Sequence, residues 1–209
     1  MLLEDLFPDV RIEIPEAPEM FIQRTLLRAA REFCMNSRYV REDVAIPLVD
    51  DTPDYLVTPT AGTEVLEVVS VLDQDGEPLT PKTPIQLDKL DPLWRTANGP
   101  PKFYINGTQG EIIITPRPLL AAGDLTVTVA TQPTLIATDI DDRLGTKYGE
   151  ALVFGALGRL FLMPRQKWTS KASAKDYLGL FMAKYAEAEC KAVDNHTTGI
   201  ARKVKYGGY

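Results

Sequence analysis

Few residues in this chain of 209 have types and spacings that could do chemistry. The one histidine, His196, stands near the C-terminal end with no cysteine or paired carboxylate in a recognisable register. Histidine-based nucleophile triads and Cys/His zinc sites are therefore disfavoured. No glycine-rich phosphate loop, nucleophile elbow or dinucleotide fingerprint occurs. Asp139, Asp141 and Glu150 fall at the first, third and twelfth positions of a calcium loop, but Arg143 and Leu144 occupy the fifth and sixth. That loop needs an oxygen ligand and a glycine there, so these acids read as helix caps. Glu64 and Glu67 form the kind of carboxylate pair a hydrolase could use, yet in so acidic a chain such a pair means little and solvent exposure is the better explanation. Asn106-Gly107-Thr108 and Asn195-His196-Thr197 match the glycosylation pattern, and without a secretory signal both read as chance. The sequence therefore predicts no enzyme, no cofactor and no metal.

What the chain does offer is charge in patterns. Arg24, Arg28 and Arg31 recur at i, i+4 and i+7, which sets three guanidinium groups along one stripe of a helix. The stripe reads either as a solvated face paired with neighbouring acids or as a contact surface for an acidic partner. At the other end, residues 196–209 read HTTGIARKVKYGGY. Arg202, Lys203 and Lys205 concentrate positive charge there, with Ile200, Val204, Tyr206 and Tyr209 as apolar anchors. Glycines at 199, 207 and 208 discourage an isolated helix. The segment reads as a loose end or as an arm that folds on binding.

The elements that must position these groups follow from hydrophobic period. Residues 146–163, TKYGEALVFGALGRLFLM, carry only three charges and are apolar on nearly every side, so this helix must be buried on nearly every side. Its glycines lower helix propensity by about 1 kcal/mol each, which implies close packing by another element. It is too short and interrupted for a membrane span. Residues 16–37 place Ile22, Leu26, Ala29, Ala30 and Phe33 on one helical face, and 170–193 do the same with Ala174, Tyr177, Leu178, Phe181, Tyr185 and Ala188.

Between these helices the period changes. Short β-prone runs at 39–48, 55–58, 65–72, 102–105, 111–115 and 125–131 are separated by proline or glycine clusters. Asp73 to Gly76 reads as a turn, Asn106 to Gly110 as a hairpin loop, and Pro84 to Arg95 as a short helix with Leu87, Leu90 and Trp94 on one side. Met1 to Pro15, broken by prolines, reads as an extended leader. The fold class expected is α+β: a bundle of three main helices with an inserted β-rich domain and extended N- and C-terminal arms. The expected divisions are 1–38, 39–134, 135–195 and 196–209.

Composition sets outer bounds. Hydrophobic residues make up 44% and the formal net charge is −6, which argues against a surface that tracks nucleic-acid phosphates. The N-terminus lacks the basic and long apolar regions of a secretory signal, so an intracellularly made, soluble protein is expected. Cys34 and Cys190 read as reduced and mostly buried thiols.

The order of segments resembles a known family. The leader ends in Ile14-Pro15 and the first helix reads FIQRTLLRAAREFC. The β-rich part contains Asn98-Gly99-Pro100-Pro101-Lys102-Phe103-Tyr104 and Gly110-Glu111-Ile112-Ile113-Ile114-Thr115-Pro116-Arg117-Pro118, and Trp168 lies between the paired C-terminal helices. Together these are similar to the head-to-tail adaptor, or connector, proteins of tailed phages, especially short-tailed ones. The resemblance implies a homo-oligomeric, usually dodecameric, ring at the head–tail interface of the virion, made in the host cytoplasm and attached under the portal protein. The ring would extend the DNA channel without sequence-specific binding and without a membrane, and would carry the tail nozzle or fibre proteins. The competing classes are a carboxylate-dependent hydrolase and a glycan-binding module in the β-rich insert.

Overall fold

The computed structural model describes residues 1–119 and 123–193. They form a mixed α+β fold with five α-helices and two sheets. The helices that dominate the core are α2 (Glu19–Ser37), α4 (Asp142–Phe161) and α5 (Lys171–Val193), preceded by α1 (Phe7–Glu13) and with α3 (Pro84–Leu90) in the β-rich part.

Helix α2 starts where Pro18, in extended conformation, sets the chain direction, and ends where Arg38 adopts a left-handed φ of 48°. Its apolar stripe, Ile22, Leu26, Ala29, Ala30 and Phe33, is fully buried. Truncating a side chain such as Phe33 to alanine typically costs about 3–5 kcal/mol. Helix α4 lies against it and is buried nearly all round, from Leu144 through Leu152 and Ala156 to Leu160. It begins earlier than the sequence pattern implied, capped by Asp141, and its backbone departs from helical geometry at Tyr148. There the Tyr148 ring packs 4.9 Å from Phe33 and 5.0 Å, edge on, from Tyr39.

The glycines of α4 have the role the sequence suggested. A Cβ on Gly155 would lie 2.9 Å from Ala29 Cβ and 3.0 Å from the Phe181 ring, and one on Gly158 would lie 2.7 Å from Leu178. The side chains of Ala29, Phe181 and Leu178 therefore occupy the space that a Cβ at these positions would need. Helix α5 covers the remaining side of α4 with Ala174, Phe181, Ala188 and Ala192.

The leader is not extended, contrary to expectation. Leu3–Leu6 form a 3-10 turn that runs into α1, and Leu3, Leu6, Val10 and Ile14 are buried at spacings of three and four. Pro8 sits in the first turn of α1, where a missing N–H breaks no helical bond. The Leu3 amide donates to the Thr138 carbonyl (3.0 Å) and that of Ile140 to Met1 (2.9 Å), so the leader is sewn to the approach of α4.

The strands are β1 (Arg41–Pro47), β2 (Asp54–Leu56), β3 (Thr63–Leu72), β4 (Thr80–Pro81), β5 (Phe103–Asn106), β6 (Glu111–Thr115) and β7 (Asp124–Pro133). They make one antiparallel sheet in the order β1-β7-β3 and a second in the order β2-β6-β5-β4, in which β4 runs parallel to β5. Val71, Leu125, Val127 and Val129 of the first sheet share a core with Tyr104, Ile112 and Ile114 of the second. The far side of the second sheet carries a smaller cluster of Leu87, Trp94 and Ile105, against which Ile113 packs. The Ile112-Ile113-Ile114 run is thus apolar because both of its faces are covered. Leu90, expected beside Leu87 and Trp94, is instead 62% exposed. Cys34 is buried as expected but Cys190 is exposed, because it lies on the outer side of α5.

The close approach of α4 to its neighbours predicts opposite outcomes for two glycine substitutions. Gly155→Leu should lower unfolding stability by about 1–3 kcal/mol through overpacking. Gly179→Ala, on α5 with nothing within 4 Å of a Cβ, should raise it by about 1 kcal/mol through helix propensity. Urea titrations of the two variants beside the parent chain check both signs.

Candidate interaction surfaces

The carboxylates singled out by spacing are held in structural contacts. Glu64 on β3 accepts from Arg31 at 2.7 Å and from the Gln132 amide at 2.6 Å. Arg31 also donates to the Pro133 carbonyl at the end of β7, so its side chain, only 17% exposed, ties α2 to the first sheet. Glu67 pairs with Arg38 at 2.7 Å. Within the helical part, Arg159 of α4 pairs with Glu32 of α2, donates to the Gly155 carbonyl and lies over the Phe181 ring.

The broken calcium loop resolves into a helix cap. The Asp141 carboxylate accepts from the Arg143 amide at 2.8 Å and from its guanidinium at 2.8 and 3.0 Å. Burial works against the Asp141 charge, but the hydrogen bonds from Arg143 and the Leu144 amide outweigh it and hold the carboxyl below its ordinary value. Asp142 takes the terminal amine of Met1. Glu150 sits a turn and more along α4, on an exposed position. Among the described residues no group of His, Cys, Asp and Glu is arranged to hold a metal.

A cleft of about 290 Å³ opens where the leader, β7 and the start of α4 meet, with Glu42, Asp139 and Asp141 among its lining. Glu42 is occupied by the amide and hydroxyl of Thr60, at 2.9 and 2.8 Å. Cys34 borders the same cleft, and burial pushes its thiol up to about 12, far from the range of a nucleophile.

The arginine stripe is split by the structure. Arg24 and Arg28 are exposed, with no ion pair among the described residues, whereas Arg31 is committed to Glu64. The C-terminal candidates, Ile200, Arg202, Lys203, Val204, Lys205, Tyr206 and Tyr209, lie outside the described residues, as does His196.

A further surface was not anticipated. Val153, Phe154 and Leu157 of α4 form the floor of a groove of about 270 Å³, with Tyr177 of α5 as one wall and α1 as the other. Tyr177 is wedged between Phe154, at 5.9 Å, and Phe161, stacked at 5.7 Å. Burial and then the facing Glu13 carboxylate push its phenol up. Asp9 and Glu13 of α1 and Glu150 of α4 rim the groove, and all three are exposed. Ile12, 76% exposed, stands at its edge. Reading the leader as extended hid this groove, since one of its walls is α1. The spacing of Leu3, Leu6, Val10 and Ile14 was the signal that could have revealed it. Ile85 and Leu93 add exposed apolar side chains on and beside α3.

A family model described as SU10 adaptor protein matches residues 1–202. No curated protein matches the chain.

Two expectations follow from these contacts. Arg31→Met should lower stability by about 1–3 kcal/mol because a charged donor to two elements is lost, whereas Arg24→Glu with Arg28→Glu should stay within about 0.5 kcal/mol of the parent. Asp141→Ala should cost about 0.5–2 kcal/mol at neutral pH as a lost cap. The folded-state carboxyl lies below its ordinary value of 3.8, so its stabilisation is complete above that pH and disappears as pH falls through the folded value. The gap between parent and variant should accordingly narrow in acid, as unfolding titrations from neutral pH downward will read.

Proposed function

The chain belongs to the SU10 adaptor protein family, and from that premise we propose that it is the structural head-to-tail adaptor of a tailed phage. Identical subunits form a dodecameric ring beneath the portal protein, extend the DNA channel, and offer a platform to the tail nozzle or fibre proteins. The observation that carries this reading is the extent of the match, which covers residues 1–202, the helical core and the β-rich part alike. Residues 1–38 and 135–195 act in it as a three-helix bundle, 39–134 as an inserted β-rich domain, and 196–209 as an arm.

Physical features support the same reading. The net charge of −6 suits a conduit, because a carboxylate-rich lumen repels DNA and lets it slide without sequence-specific binding. A ring closes through heterologous contacts, so each subunit needs two different patches. The exposed Arg24 and Arg28 supply one charge sign and the acidic groove rim the other. The site of action is the head–tail interface of the virion, after synthesis in the host cytoplasm, and no membrane partner is invoked. Among the described residues no helix is long and apolar enough to cross a membrane.

The reading as a carboxylate-dependent hydrolase is weaker, since Glu64 and Glu67 each sit against an arginine. A glycan-binding module in the β-rich part has no observation in its favour.

Mixing the purified chain with its portal and imaging the complex tests the proposal directly. A ring of this chain under the portal is expected, and a chain that stays free would overturn it. Arg24→Glu with Arg28→Glu should weaken ring assembly most at low salt, because exposed charges are screened over about 10 Å at 0.1 M. Removal of residues 198–209 should leave the subunit folded and prevent stable attachment. Undiminished attachment of the truncated chain would remove the arm from the proposal.

A further inference from the structure

The groove between α1, α4 and α5 is an apolar seat with an acidic rim, and no ion pair among the described residues neutralises Asp9, Glu13 or Glu150. The chain itself contains the complement. Residues 200–206 read IARKVKY, three cations among four apolar side chains, in a protein that is otherwise acidic. We infer that the groove seats residues 200–206 of its own chain in the free subunit, with Ile200, Val204 and Tyr206 over Val153, Phe154 and Leu157 and the cations against the rim.

Reach, alternation and charge carry the assignment. Tyr177 lies about 24 Å back along α5 from Val193 at 1.5 Å per helical residue, and residues 194–200 laid out extended span about 23–25 Å. The tail therefore has the length to return and bring Ile200 to the groove, leaving the basic residues to lie along it. In an extended run Ile200, Val204 and Tyr206 fall on one face, with Arg202 among them long enough to reach the rim, while Lys203 and Lys205 fall on the other. An apolar floor between two acidic edges accepts that pattern better than a uniformly polar surface would. Tyr177 and Phe154 give the incoming side chains an aromatic wall. The three rim carboxylates, near one another on α1 and α4, repel until cations lie between them. The contact belongs to the isolated subunit and stands apart from the ring reading. The segment that the ring reading hands to the portal or a neighbour is covered by its own subunit until such a partner competes for it.

Disulfide trapping in the full chain tests this. In a Cys34→Ala, Cys190→Ser background, Ile12→Cys is combined with Val204→Cys, and the dilute protein is treated with oxidised glutathione. Ile12 is 76% exposed, so its replacement should leave the body folded, which an unfolding titration verifies first. The expected product is an intramolecular disulfide, seen as a faster-migrating monomer on a non-reducing gel. It should form about tenfold faster than in a control that pairs Val204→Cys with Met20→Cys on α2, because a seated tail holds its thiol at high effective concentration. Glu13→Lys with Glu150→Lys should slow the trapping about three- to tenfold at low salt, and adding Arg202→Glu with Lys203→Glu should restore it. A disulfide formed only between chains would place the tail on a second copy and overturn the inference. Equal rates for the groove pair and the control, or a charge reversal without effect, would overturn it as well. A failure to form rings leaves this result untouched, so the two readings fail separately.

Discussion

Everything in this molecule depends on the burial of one helix. Helix α4 is apolar around almost its whole circumference, and a helix of that kind has no stable place at a surface. It is enclosed by α2 and α5, and by the leader with its buried Leu3, Leu6 and Val10. Enclosure demands close packing, and Gly155 and Gly158 leave room for the side chains that α2 and α5 press in. The lost helix propensity of about 1 kcal/mol per glycine is offset by packing from Ala29, Phe181 and Leu178 that no larger residue could receive. The kink at Tyr148 belongs to the same arrangement, since it is where Phe33 and Tyr39 both meet α4.

A second layer of interactions joins the helical part to the sheets, and it is polar. Arg31 and Arg38 near the end of α2 reach Glu64 and Glu67 on β3, and Arg31 also caps the end of β7 through Pro133. Partly exposed pairs of this sort contribute modestly to stability. They contribute orientation as well, because a guanidinium that donates to two elements at once restricts how one rotates on the other. The same contacts hold Glu64 and Glu67, the carboxylate pair singled out by spacing, each against an arginine.

The exposed surface carries features of its own. Arg24 and Arg28 on α2, the apolar side chains around α3, and the acidic groove beside α1 are places where the subunit presents unpaired charge or apolar area to whatever lies beside it. A structural adaptor must present such surfaces to several neighbours while its own core stays rigid. A tightly packed interior beneath exposed charged and apolar patches agrees with membership of the SU10 adaptor protein family.

The sequence alone determined the order of the main helices and strands after the leader, because the hydrophobic period is written locally. The 3.6-residue stripe of α2, the all-round apolar α4, the isoleucine run of β6 and the turn at Asp73 to Gly76 each declare themselves within a few residues. The absence of a histidine- or glycine-based motif was equally legible, as was the resemblance of segment order to head-to-tail adaptors. Tertiary structure decided everything that needed two distant segments. Leu90 carries the spacing of a core residue but points to solvent, because α3 ends there and the chain turns away. The leader looked unstructured because its prolines suggested breaks, yet Pro8 falls in a first turn and the packing surface of α4 rewards the helix. Arg24, Arg28 and Arg31 form one stripe in sequence and two roles in space, since only Arg31 lies within reach of Glu64, thirty-three positions away. The spacing of Leu3, Leu6, Val10 and Ile14 marks α1, one wall of the groove, but the groove itself exists only where that wall meets a floor from α4 and a second wall from α5. Hydrophobic period records which side of an element is buried, whereas the partner that buries it, and the charges left facing solvent, are set only when the elements meet.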